Sequence, residues 1–97
     1  MLEYNNQNIN NGKILLFLYG GYHSNCNITE SMLKNIEKKR SDIIVIKVNT
    51  AKYYRLKERF NISSLPALIY LKNGNVIFKR MGSLNQKVIM NLIEGSD

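Results

Sequence analysis

Two apolar runs with a helix-spaced segment between them restrict the fold of this chain more than any other feature. The first, Ile14-Leu15-Leu16-Phe17-Leu18-Tyr19, is continuous and stops at Gly20-Gly21. That is the pattern of a central strand covered on both faces. From Ser24 to Lys39 the apolar residues Ile28, Met32, Leu33 and Ile36 recur at helical spacing, with polar residues between them facing out. The second run, Ile43-Ile44-Val45-Ile46-Lys47-Val48, is β-branched and mostly apolar, as an interior strand requires. Strand, helix and strand in this order place the two strands parallel through a right-handed crossover.

The remaining segments extend this unit. Tyr53, Leu56 and Phe60 mark one face of a short helix. After Pro66 come Ala67 to Leu71 and Val76 to Arg80, joined across Asn73-Gly74, a pair suited to the two positive φ angles of a tight hairpin. Ser83 followed by Gln86 reads as a capping box. Leu84, Val88, Ile89, Leu92 and Ile93 form the apolar face of a last helix, which Gly95 is expected to end. The order β-α-β-α-β-β-α predicts an α/β fold in which a four-stranded mixed sheet carries helices on both faces.

The chain has 97 residues, enough for one domain over 1–97. Tyr4 to Gly12 is polar and rich in asparagine, so residues 1–12 are expected to fray. A single cysteine excludes an internal disulfide and fits a reducing, cytoplasmic setting. The run Ile14 to Tyr19 is too short to span a bilayer and lacks both a basic leader and a cleavage site, so it reads as a buried strand, and no membrane is expected as partner.

The net charge of +7 comes from 14 Lys and Arg against 7 Asp and Glu. The cations are spread over Lys34, Lys38, Lys39 and Arg40, then Lys52, Arg55, Lys57 and Arg59, then Lys79 and Arg80. A solvated surface accounts for them, with Lys38 to Arg40 well placed at a helix C-terminus. A nucleic-acid surface would rest on charge alone, with no recognised motif behind it, so nucleic acid is not the expected partner.

Two short segments remain: Tyr22-His23-Ser24-Asn25-Cys26 at the start of the first helix, and Ser64-Leu65-Pro66-Ala67 before the hairpin. With these residues in this order the chain resembles thioredoxin over about residues 13 to 94. In that family a tryptophan-cysteine-glycine-proline-cysteine motif stands at the place of Tyr22 to Cys26. Leu65-Pro66 resembles the family's cis-proline dipeptide, Lys72-Asn73-Gly74 its hairpin turn and Gly82 the glycine beside its substrate groove. Three residues depart from the pattern. His23 stands where the nucleophilic cysteine belongs, Asn25 replaces the proline, and Phe17 replaces a buried aspartate. The shorter N-terminus implies that the family's first strand and helix are absent or reduced to residues 2 to 11.

A thioredoxin cycle needs one thiol to attack a substrate disulfide and a second to resolve the mixed disulfide. This chain cannot close that cycle alone, and no dithiol reductase activity is expected. Cys26 and His23 are the catalytic candidates. Cys26 would act as a monothiol resolved by a small thiol or a partner. The helix N-terminus would assist it, and so would His23 and Lys47, which aligns with a family lysine deprived here of its aspartate. The plainer alternative makes Cys26 a small packed residue and His23 an exposed polar one. One His and one Cys fall short of a zinc site, and neither metal nor cofactor is expected.

The resemblance also places Tyr22, Leu65, Pro66, Met81 and Gly82 around a peptide-binding groove. A cis Leu65-Pro66 bond would leave a backbone edge free for an extended segment of another protein, and the surrounding lysines favour an acidic one. The function expected is a protein-binding module related to thiol-disulfide redox proteins. A monothiol redox protein acting through Cys26 in cell redox homeostasis is the alternative.

Overall fold

The computed structural model describes residues 1–20, 26–82 and 84–96, with Cys26 and Asn27 as backbone only. Its elements are β1 (Leu2–Glu3), β2 (Lys13–Tyr19), α1 (Cys26–Lys39), β3 (Ile43–Asn49), α2 (Arg55–Arg59), β4 (Ala67–Lys72), β5 (Asn75–Met81) and α3 (Gln86–Ser96). The strands form one mixed sheet in the order β1-β3-β2-β4-β5. β2 and β3 run parallel from Lys13↔Ile43 to Tyr19↔Asn49. β4 lies antiparallel to β2, with Leu18 opposite Ala67.

The sheet has five strands where four were expected, because Leu2 and Glu3 pair in parallel with Ile46 and Lys47 of β3. Three further contacts fix the N-terminal segment that was expected to fray. The Tyr4 N–H donates to the Lys47 carbonyl at 2.8 Å. The Tyr4 ring packs edge-on against Tyr53. Ile9 is 2% exposed. Composition alone pointed to fraying, but one apolar residue at the right place is enough to seat a polar segment on the core.

The pleat divides the core in two. Ile14, Leu16 and Leu18 of β2 join Ile46, Val48, Ala67, Ile69 and Leu71 on the face covered by Leu56, Phe60 and Ile62 from α2 and the turn after it. Leu15 and Phe17 join Ile43, Val45, Leu68 and Tyr70 on the face covered by α1 and α3 through Met32, Leu33, Ile36, Ile89 and Ile93. Helices on both faces explain why β2 reads as an unbroken apolar run: each residue from Ile14 to Leu18 has a core to enter.

Several local expectations are corrected. Ile28 is 74% exposed, and Thr29 takes the buried place one residue on. Positions 29, 32, 33 and 36 form a tighter helical stripe than 28, 32, 33 and 36. Ser83 lies outside the described residues, but α3 starts at Gln86 and its cap is Asn85. The Asn85 Oδ1 accepts from the N–H groups of Lys87 at 2.9 Å and Val88 at 3.2 Å. Gly95 lies within α3, which continues through Ser96. The hairpin forms where expected, with Asn73 at φ 50° and Gly74 at φ 83°.

Candidate functional site

The carboxyl ends of the parallel strands β2 and β3, the start of β4 and the end of β5 all fall on one margin of the sheet. α1 begins there as well, since it follows β2 through residues 20–25. In open α/β sheets this is the margin where ligands bind. Cys26 is the first residue of α1. Tyr22 and His23 lie outside the described residues, and so does the side chain of Cys26.

The candidate residues on the proline side come together. Ala67, the first residue of β4, pairs with Met81, the last of β5. The Leu65–Pro66 peptide is cis. The Pro66 carbonyl accepts the Gly82 N–H at 2.9 Å. Gly82 sits at φ 85°, a left-handed conformation that suits glycine. The Met81 sulfur accepts from the Ser63 N–H at 3.4 Å and from its hydroxyl at 3.5 Å. The loop 63–66 is thus tied to the end of β5 at two points. Leu65 and Pro66 are half-buried, and Met81 is exposed. Among the described residues no hydrogen bond engages the main-chain groups of Leu65. That leaves a backbone edge beside the half-buried Leu65 and Pro66 and the exposed Met81.

Under this margin, on the α1 face, Phe17 is fully buried at the position read as the family's aspartate. Its ring stacks on Tyr19, centroids 5.7 Å apart. Lys47, opposite Phe17 in the ladder, is bound by two carboxylates that sequence reasoning missed: Glu30 of α1 at 3.0 Å and Glu3 of β1 at 3.2 Å. The Glu30 hydrogen bond, and secondarily that of Glu3, raises the Lys47 pKa against the opposing effect of burial. Two glutamates, from α1 and β1, thus hold Lys47. The only sequence signal was that Glu30 follows Cys26 by one helical turn. The pairing of Glu3 depends on β1, which composition concealed.

No group of three or more His, Cys, Asp or Glu gathers as a metal site among the described residues. Likewise, no helix among them is long and apolar enough to cross a membrane.

A mixed sheet with helices on both faces, a cis-proline loop at the carboxyl margin and a cysteine opening the first long helix define a thioredoxin-type fold. Residues 2–95 match the family model for thioredoxin, and the chain belongs to that family. It is 29% identical over 84 residues to the chloroplastic thioredoxin Y of Oryza sativa subsp. japonica, covering 86% of this chain and 50% of the relative. It is 25% identical over 85 residues to a thioredoxin of Chlamydia pneumoniae, covering 88% and 83%. The chain thus spans about half the length of the first of these relatives. Among solved structures, the germline-specific thioredoxin Deadhead of Drosophila melanogaster superimposes with a TM-score of 0.78 at 23% identity, covering 88% of this chain and 81% of that one. Mitochondrial thioredoxin 3 of Saccharomyces cerevisiae gives 0.79 at 18%, covering 88% and 79%. These two likenesses speak for the fold.

Proposed function

We propose that this chain is a protein-binding module of the thioredoxin family that holds an extended segment in the proline-loop groove and lacks dithiol reductase activity. The observation that carries the reading is a backbone edge at Leu65 without hydrogen bonds among the described residues, in a sequence with a single thiol. The Gly82 N–H donates to the Pro66 carbonyl and the Met81 sulfur accepts from Ser63, which holds the loop carrying Leu65 at the end of β5, while the sequence holds one cysteine. A mixed disulfide needs a second thiol to resolve it, whereas binding along the Leu65 edge needs none.

Electrostatics also favour binding over thiol chemistry. Lys47, the cation expected to draw out the Cys26 thiolate, is neutralised by Glu30 and Glu3. Glu30 itself stands one turn along α1 from Cys26, where a negative charge opposes a second one. Exposed lysines such as Lys34 make an acidic partner the better fit. The setting in which the module works is proposed as a reducing, cytoplasmic one, since the fold depends on no disulfide.

Insulin turnover with a dithiol reductant tests the first half and is expected to match the uncatalysed background, while His23→Cys restores some turnover on an intact scaffold. Turnover by the unmodified protein that Cys26→Ser abolishes would instead establish the monothiol reading. For the groove, Tyr22→Ala is expected to weaken partner retention by about 1–2 kcal/mol, the loss of a modest aromatic anchor. Identical proteins retained by the unmodified and Tyr22→Ala forms would sink it.

A further inference from the structure

The sheet face opposite α1 and α3 carries a second cluster of side chains that the proline-loop groove does not use. The rings of Tyr4 and Tyr53 meet edge-on with centroids 4.8 Å apart. Beside them opens a cleft of about 260 Å³ whose lining includes Asn6, Lys52, Tyr54 and Arg55 and holds no carboxylate. A second cleft of about 400 Å³, lined in part by Lys57 and Glu58, shares Tyr54 as a wall. Both are near the lower end of the ~300–1,000 Å³ range of small-ligand sites.

Tyr54 is 57% exposed, so a flat ring stands between two clefts with its surface open to solvent. The Arg55 guanidinium lies 6.0 Å from the centre of that ring, and the Lys52 ammonium 5.4 Å from the centre of Tyr53. Neither cation forms an ion pair with a carboxylate among the described residues. From Lys52 to Arg59 the chain places Lys52, Arg55, Lys57 and Arg59 against Glu58 alone.

We propose that this face binds nucleotide units, with an aromatic base stacked on Tyr54 and its phosphate held by Lys52 and Arg55. Charge alone did not support such a site. What supports it is an exposed ring beside two clefts with cations that have no carboxylate partner among the described residues, since base stacking and phosphate attraction are the two terms that hold single strands without sequence preference. A polyanion without rings would meet the cations but leave the Tyr54 ring unstacked. Two clefts sharing one ring also suit consecutive units of a strand. The same base-plus-phosphate chemistry is offered by a free mononucleotide, and the experiment separates the two.

Anisotropy of a labelled oligothymidylate, read against salt, tests the proposal. Tyr54→Ala should weaken binding about 5- to 150-fold, the range of losing one stacked base, with the circular dichroism spectrum unchanged. Lys52→Ala should lower the slope of log affinity against log salt by about 0.7, the value for one phosphate contact on a single strand. Lys34→Ala, on α1, should alter neither. Displacement of the label by thymidine monophosphate would identify the free nucleotide as the ligand, and displacement only by unlabelled oligothymidylate would identify a strand. The proposal is overturned if neither oligothymidylate nor thymidine monophosphate binds, or if Tyr54→Ala leaves affinity unchanged. It is equally overturned if polyglutamate displaces the label as well as oligothymidylate does.

Discussion

Lys47 joins three elements, because the carboxylates of Glu30 on α1 and Glu3 on β1 meet its ammonium on β3. Glu30→Gln should lower stability at neutral pH by about 0.5–1 kcal/mol, the scale of a partly exposed pair. The folded lysine has a raised pKa, so this contribution is complete below about pH 10.4, the unfolded value, and is lost as pH rises through the folded one. Urea unfolding at about pH 7 and about pH 11 should therefore show the difference between the two proteins shrinking in alkali. Asp42 behaves in the opposite sense. Hydrogen bonds from Arg40 first and Lys13 second hold its carboxyl well below the usual carboxylate range. Its contribution is present above about pH 3.9 and fades as pH falls. Asp42→Asn should flatten the loss of stability on acidification, as read from urea midpoints taken between about pH 5 and about pH 2.

Elements whose signals are local were legible, and elements with competing local signals were not. Asn73-Gly74 could be read directly because a two-residue hairpin demands positive φ at both positions, and few residue pairs supply it. The capping-box pattern set the cap of α3 at Ser83, but the helix begins at Gln86 and Asn85 caps it. The side chain of Asn85 reaches the N–H groups of the second and third helical residues, which is what an N-cap does. Asn85→Ala should cost about 1 kcal/mol in urea unfolding, and Ser83→Ala distinctly less. Equal losses would return the cap to Ser83. A charge expected on the free surface proved to be engaged as well: the Lys79 ammonium donates to the carbonyls of Phe60 at 3.0 Å and Asn61 at 3.3 Å, binding β5 to the end of α2.

At the scale of the molecule, the N-terminal segment extends the sheet and builds one wall of the α2-face cleft. Ile9 anchors it at 2% exposure, whereas Ile28, assigned by periodicity to the core, stands 74% exposed on α1. Ile9→Ala should destabilise by about 2–4 kcal/mol, as large-to-small changes in cores do, and Ile28→Ala should stay within about 0.5 kcal/mol. Thermal or urea unfolding of the two variants side by side checks the ranking, and a reversed order would mean that the segment around Ile9 is not part of the folded core.

The sequence by itself determined the parallel β2–β3 pair with its crossover helix, the hairpin, the proline loop and the presence of a single thiol. Each of these depends on periodicity, on turn chemistry or on the identity of a single residue, and all are carried by neighbours along the chain. Only the tertiary structure decided that Leu2 and Glu3 add a fifth strand, that Glu30 and Glu3 converge on Lys47, and that Tyr4 packs on Tyr53 beside the cleft of the α2 face. These contacts join residues far apart in sequence. Which of many polar or aromatic side chains meet is set by how the sheet edge and helices pack, and no local pattern records that.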